Sequence, residues 1–294
     1  MTKSTWPKEL ISRPLPSPVL VTGATSGIGA AVVEELLRRG VRVVGIGRSA
    51  EKAEALRARC ASSAGTLTML LGDTSLMREA VGLAGKANAA AGKPFSAVIQ
   101  CMGTLHVRSS VTAEGIEASF TVSFLSRFAV FENLTLAADV VVVNVGASES
   151  GNIPSFIRHE LAEPKDIGQG MSAHGSAQLA NDIWVASLAR SGLRAWGYGP
   201  GAVDTDIRRD VPLIIRCLLA PFFAPWTRKP ALAAEDIIRL LIDKGLPDTG
   251  GFASRHGIFT HNPFVLDRQR QDRLIDLSRA MLSQALQKST TEAV

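Results

Sequence analysis

Tyrosine is almost absent from this chain: among 294 residues there is one, Tyr198, and aromatic residues together make up 5%. Cysteine is nearly as scarce. Cys60, Cys101 and Cys217 are widely scattered, odd in number and in no metal-ligand spacing. That excludes a disulfide framework and a zinc site, and it points to a reducing, cytoplasmic setting. No apolar run is long enough to span a bilayer. The most apolar stretch, Val211 to Trp226, is broken by Arg216 and by Pro212, Pro221 and Pro225. The N-terminal stretch carries Lys3, Lys8, Glu9, Pro7, Pro14 and Pro16, so residues 1–17 read as a flexible lead-in and neither as a signal peptide nor as an anchor. Basic residues outnumber acidic ones by 32 to 27, but they are dispersed and not interleaved with aromatics. A dedicated nucleic-acid surface is therefore excluded, and mild basicity suits an anionic small ligand. Nor is there a repeat, a low-complexity tract or a linker, so residues 18–294 read as one large domain.

What is present begins with Val19-Leu20-Val21-Thr22-Gly23-Ala24-Thr25-Ser26-Gly27-Ile28-Gly29. An apolar run breaks into a glycine-rich turn, and Ala30–Arg39 continues with helical periodicity. Strand, tight turn and helix start together offer free backbone N–H groups and the positive end of a helix dipole to a pyrophosphate. Gly23 allows the sharp turn, Gly27 lets backbone approach the phosphates, and Gly29 lets the helix pack against the strand.

Strand and helix signals then alternate. Strands are expected at Val41–Gly45, Thr66–Leu71, Ala97–Cys101, Val140–Val145 and, weakly, Ala195–Gly199. Helices are expected at Ala50–Arg59, Ser75–Ala91, Ala113–Leu136, Ala173–Arg190 and Ala233–Lys244. Val140–Val145 is nearly all β-branched, as a strand buried on both faces should be. Repeated β-α units with short connections imply an α/β fold, a Rossmann-type doubly wound parallel sheet with helices on both faces. Two regions stand outside this rhythm: the apolar, proline-punctuated segment at about 206–230, and an amphipathic C-terminal helix at about 267–287.

Thr22-Gly-Ala-Thr-Ser-Gly-Ile-Gly29 resembles the nucleotide-binding signature of the short-chain dehydrogenase/reductase family. Further landmarks follow in that family's order: Gly47-Arg48-Ser49, Gly72-Asp73-Thr74, Gln100-Cys101-Met102-Gly103 where the family usually has Asn-Asn-Ala-Gly, Val141-Val-Val-Asn-Val145, and Pro200-Gly-Ala-Val-Asp-Thr205. Gln178-Leu-Ala-Asn181, the apolar segment near Pro221 and the C-terminal helix are most similar to its retinol-dehydrogenase-like branch. The resemblance implies that Gly23, Thr25, Ser26, Gly27, Ile28 and Gly29 cradle a dinucleotide. It implies that Asp73 and Thr74 meet the adenine side, and that Cys101 and Gly103 line the cleft. Pro200, Gly201, Val203 and Thr205 would hold the nicotinamide. Arg48 stands where a guanidinium can take a 2′-phosphate bidentately, and no carboxylate stands there for the ribose hydroxyls of NAD. The cofactor implied is NADP(H).

The catalytic half departs from the family. Its dehydrogenases use Asn, Ser, Tyr and Lys, with tyrosine moving the proton and lysine lowering its pKa while gripping the ribose. Alignment on Ala173-His174-Gly175-Ser176-Ala177-Gln178 puts His174 at the tyrosine position and Gln178 at the lysine position. Ser123 falls where asparagine is expected. Ala147, or Ser148 with a one-residue insertion, falls at the serine position. Three readings follow. His174 replaces tyrosine as proton donor in hydride transfer to a carbonyl, imine or activated alkene, since imidazole exchanges protons near neutrality unaided. Alternatively, the scaffold runs a redox-neutral cyclisation, isomerisation or dehydration with His174 as acid or base and His106, Glu149 or His159 as helpers. In the third reading the chain is an inactive nucleotide-binding regulatory protein. A helix start should hold the His174 pKa down. Residues 206–230 lie where the family places its substrate lid, which suits a bulky hydrophobic small molecule. The resemblance also implies a homodimer or homotetramer through the helices at Ala113–Leu136 and Ala173–Arg190.

Overall fold

The computed structural model describes residues 6–7, 12–104, 108–146, 159–204 and 227–291. β1 (Val19–Thr22), α1 (Gly27–Arg38), β2 (Arg42–Gly47), α2 (Ala50–Arg59), β3 (Thr66–Leu71), α3 (Met77–Ala91) and β4 (Phe95–Gln100) alternate as their apolar periods require. α4 then runs through Ala118–Phe120, a π-helical turn at Thr121–Leu125, and Ser126–Glu132. β5 (Leu136–Val145), α5 (Met171–Arg190), β6 (Arg194–Gly199), α6 (Pro230–Ile242), β7 (Gly250–Ser254), β8 (Gly257–Phe259), α7 (Pro263–Leu266) and α8 (Arg268–Thr291) follow among the described residues.

The eight strands form one sheet in the order β3-β2-β1-β4-β5-β6-β7-β8. Every pairing is parallel except that of β7 with β8. Strand order reverses between β1 and β4, and doubly wound sheets bind ligands in a cleft at the carboxyl ends of the strands at such a point. Alternate residues of β1 enter opposite cores. Leu20 packs with α3, α4 and α5, whereas Val19 and Val21 pack with α1 and α6. α8 lies outside α5, where Arg190 pairs with Asp272. Among the described residues, no helix is long and apolar enough to cross a membrane. Of the N-terminal stretch, Arg13 donates its N–H to the Ile242 carbonyl at 2.7 Å, and Trp6 stacks under the Arg239 guanidinium at 5.1 Å.

Three sequence expectations need correction. The helix expected over Ala113–Leu136 starts only at Ala118, because residues before it serve as caps. The Glu114 carboxylate takes the Met77 N–H at 2.8 Å, closing the start of α3, and Gly115 turns the chain at φ +81°. The Glu117 carboxylate likewise takes the Phe120 N–H at 2.9 Å. β5 begins at Leu136, ahead of the β-branched run. β7 and β8 were unforeseen because Gly250-Gly251-Phe252-Ala253-Ser254 contains no β-branched residue. At Gly250 (φ +78°) a Cβ would lie 1.9 Å from the Ala195 carbonyl oxygen.

Candidate active site

The nucleotide side of the cleft is built from backbone. Gly23 (φ +67°) and Gly27 (φ +53°) take left-handed conformations that other residues resist. A Cβ on Gly29 would lie 2.1 Å from the Gly23 carbonyl oxygen, so α1 can start this close to β1 only with glycine there. Ser26 precedes the helix without capping it, and no acidic residue occupies the first turn. The first N–H groups of α1 are therefore left to an external anion, which is what a pyrophosphate needs. Ile28 is half-buried beside the turn, and Thr25 packs on Gly47, where a Cβ would come within 2.5 Å of its methyl. Arg48 is exposed at the end of β2, and no ion pair is recorded for it among the described residues. Asp73 makes a local turn, accepting the Ser75 N–H at 3.0 Å. Thr74 is buried with its hydroxyl on the Met102 sulfur. Met102 is itself 8% exposed, its sulfur turned inward between Thr74 and Ser126 and its backbone set against Gly23.

The catalytic side is built from side chains. α5 carries His174 and Gln178 one turn apart, so both face the same way. His174 Nδ1 lies 3.0 Å from the Thr104 carbonyl oxygen. A carbonyl only accepts, so the neutral ring carries its proton on Nδ1 and leaves Nε2 with a free lone pair. Gln178 Nε2 approaches that nitrogen at 3.4 Å, while Gln178 Oε1 is buried with no hydrogen-bond partner. Burial, the leading cause, holds the His174 pKa below the ordinary imidazole value, and the charge of Arg127 adds to it. The depression expected from a helix start thus has other sources.

Ser123 is fully buried in the π-helical turn. Its hydroxyl accepts the Thr104 N–H at 3.1 Å and donates to the Thr104 carbonyl at 3.0 Å. It therefore fixes the loop that holds His174 and does not face the cleft itself. Arg127, one turn further along α4, is 3% exposed. Its Nε donates to the Met102 carbonyl at 2.6 Å, and Nη1 donates to the Val145 carbonyl at 2.8 Å and to Asn144 Oδ1. Asn144 Nδ2 donates to Asn181 Oδ1 at 2.8 Å, and Asn181 Nδ2 to the Ser123 carbonyl at 2.8 Å. Sequence reading missed Arg127, Thr104 and Asn181. The visible signal was one arginine inside the apolar run Phe124–Phe131.

Other candidates are placed elsewhere. Cys101 and Gly103 flank Met102 at the end of β4, both half-buried. Burial pushes the Cys101 thiol up to about 12. His159 Nε2 meets the Ser176 hydroxyl at 3.0 Å, on the side of α5 away from His174. Pro200 is buried, Gly201 has φ +73°, and Val203 is half-buried. The Ala202–Asp204 strip is tied to Arg228 by backbone bonds of 2.9 and 3.0 Å. Tyr198 is 1% exposed in the core shared with α1 and α6, across the sheet from α5. Its hydroxyl donates to Asp236 at 2.5 Å, and burial and that carboxylate push its pKa up. It cannot stand in as the site's acid. Ala147, Ser148, Glu149, His106, Thr205 and the segment 206–226 lie outside the described residues.

A family model described as short chain dehydrogenase matches residues 17–213. Human "Retinol dehydrogenase 12" is 29% identical over 248 residues, covering 79% of this chain and 75% of that protein. Among solved structures, an uncharacterized protein from Mycobacterium paratuberculosis superposes with TM-score 0.66 at 22% identity, covering 92% of this chain and 96% of that one. A short chain dehydrogenase from Burkholderia cenocepacia, in complex with NADP, superposes with TM-score 0.64 at 19% identity, covering 83% and 97%.

Proposed function

The chain belongs to the short-chain dehydrogenase/reductase family, in its retinol-dehydrogenase-like branch, and on that premise we propose that it is an NADP(H)-dependent oxidoreductase in which His174 carries the proton. The family uses nicotinamide cofactors. The residues present fit one: the uncapped start of α1, the glycines at 23, 27 and 29, and the orphaned Gln178 Oε1, which suits a ribose hydroxyl. Arg48, with no carboxylate beside it, favours the 2′-phosphate form. When bound, the nicotinamide supplies or accepts the hydride.

The carrying observation is the His174 ring, whose Nδ1–H is engaged by Thr104 and whose Nε2 is basic. With its pKa held down, the ring is neutral at physiological pH. Nε2 then takes the hydroxyl proton of an alcohol as hydride leaves its carbon. In reverse, the protonated ring returns that proton to the oxygen as hydride arrives. Gln178 orients Nε2 by its amide N–H and cannot supply a charge. The substrate class proposed is a hydrophobic small molecule. Two features support it: the apolar run Val211–Trp226, and the relatives' naming for retinol, a lipophilic alcohol. A basic Nε2 with no charged partner supplied by Gln178 also favours a second reading, redox-neutral proton abstraction from a bound substrate.

The test is thermal shift of the purified protein with NADP, NADPH, NAD and NADH, followed by NADPH consumption with lipophilic ketones, imines and enones and NADP reduction with lipophilic alcohols. Selective NADP(H) binding with turnover is expected. Substrate conversion without a change in cofactor absorbance would replace this reading by the redox-neutral one, and absence of any nucleotide binding would overturn both.

A further inference from the structure

Among the described residues, Arg127 is a buried cation without an anionic partner. Its acceptors are the Met102 and Val145 carbonyls and the Asn144 amide oxygen, all neutral. Withdrawing a guanidinium from water is unfavourable by several kcal/mol, and neutral acceptors offset that only in part, so the residue is poorly explained as a stabiliser of the fold. Its surroundings point to the site. Ser123 and Arg127 stand one turn apart on α4 and grip the loop Met102–Thr104 at its two ends. The carbonyl of Thr104 in turn holds His174 Nδ1. Between them is Gly103, whose missing Cβ would lie 3.3 Å from Arg127 Nη2 and 3.7 Å from Ser123 Oγ. Guanidinium and imidazole thus hang from the same three-residue loop.

We infer that Arg127 is a positioning residue: it holds the loop whose Thr104 carbonyl keeps the His174 proton on Nδ1, and its buried charge adds to burial in disfavouring a second proton on the ring, so that Nε2 remains the base. The family's cation is a lysine on the helix of α5, where this chain has Gln178. Here a cation has moved to α4 and acts with the same sign, disfavouring the protonated form of the group that carries the proton. Arg127 itself is brought down by burial only to about 10 and stays charged at neutral pH.

Other titratable groups flank the β4 loop and α5 among the described residues. From the β4 loop comes Cys101, which remains a thiol. From α5 comes Asp182, two turns on and engaged by His261 Nε2 at 3.1 Å. From the segment before α5 comes His159, engaged with Ser176. The inference rests on the proposed role of His174 only for its effect on turnover, because the ring's titration is a property of the free chain.

The experiment is a side-chain NMR titration of the five histidines, with His174 assigned by its loss in His174→Asn, in the full chain without nucleotide. Arg127→Gln should raise the His174 midpoint, and Arg127→Lys, which keeps the charge, should move it far less. Should Arg127→Gln fail to fold, Asn144→Asp supplies a counter-charge while keeping the oxygen that Arg127 uses, and it should raise the midpoint similarly. In the active protein the pH profile should move with the ring. A His174 midpoint equal in the wild type and in the folded neutralising variant would overturn the inference. So would Arg127→Lys moving it as far as Arg127→Gln. Neither result depends on whether His174 carries the proton in turnover.

Discussion

The two sides of the cleft are made of different material. Along the β1–α1 turn, the proposed nucleotide site rests on backbone: glycines whose missing side chains leave room, and N–H groups at an uncapped helix start. Around α5 it rests on side chains drawn from four separate stretches, with Thr104, Ser123, Arg127, Asn144, Asn181 and His174 in one hydrogen-bonded set. A backbone cradle follows from a short local pattern, and it tolerates exchange of most neighbouring side chains. A side-chain network can be rebuilt while the cradle is kept. On the proposed reading, that is how an ordinary nucleotide turn is paired with a proton site lacking both tyrosine and lysine.

The sharpest way to separate the two sides is His174→Asn. The Asn amide can still donate to the Thr104 carbonyl, but it offers no basic nitrogen. Turnover should fall by about 10²- to 10⁴-fold with nucleotide affinity kept. Wild-type alcohol oxidation should rise with pH through a midpoint below 6.5, the ordinary imidazole value, and carbonyl reduction should fall through it. Steady-state kinetics across pH checks both. The mirror experiment is Gly29→Val. Its Cβ would overlap the Gly23 carbonyl, so nucleotide binding should be lost and stability should drop by about 3 kcal/mol by chemical denaturation.

A smaller effect is expected at the rim. Arg48→Ala removes an exposed guanidinium that has no internal partner among the described residues, so it should weaken NADP binding by about 10- to 100-fold by calorimetry and leave NAD binding and melting temperature unchanged. Smallest is Tyr198→Phe. Losing the hydrogen bond to Asp236 should reduce stability by about 1 kcal/mol without affecting turnover, because the one tyrosine lies across the sheet from His174.

How legible each part was in the sequence follows the same division. The turn at Thr22–Gly29 and the β-branched run of β5 could be read because their physics is local: a glycine at φ +67°, or valines facing two cores. β7 could not, since its pairing with β6 is supplied by the sheet and not by the propensity of Gly250-Gly251-Phe252-Ala253-Ser254. Neither could the start of α4, where Glu114 spends its carboxylate on a helix 37 residues earlier. In the site, His174 and Gln178 were visible through the family resemblance, at the tyrosine and lysine positions of one helix. Arg127 was not, because its meaning depends on which carbonyls the fold brings to it. Ser123 was singled out in place of an asparagine, but its hydroxyl serves the Thr104 backbone.

The joining of cradle and proton site can be watched in one titration: NADP added to the full-length protein while the His174 ring resonances are followed. A saturable shift of the His174 signals, at the midpoint given by calorimetry and absent in Gly29→Val, is expected if nucleotide and imidazole share the cleft. Saturable binding of NADP that leaves the His174 resonances unmoved would contradict it.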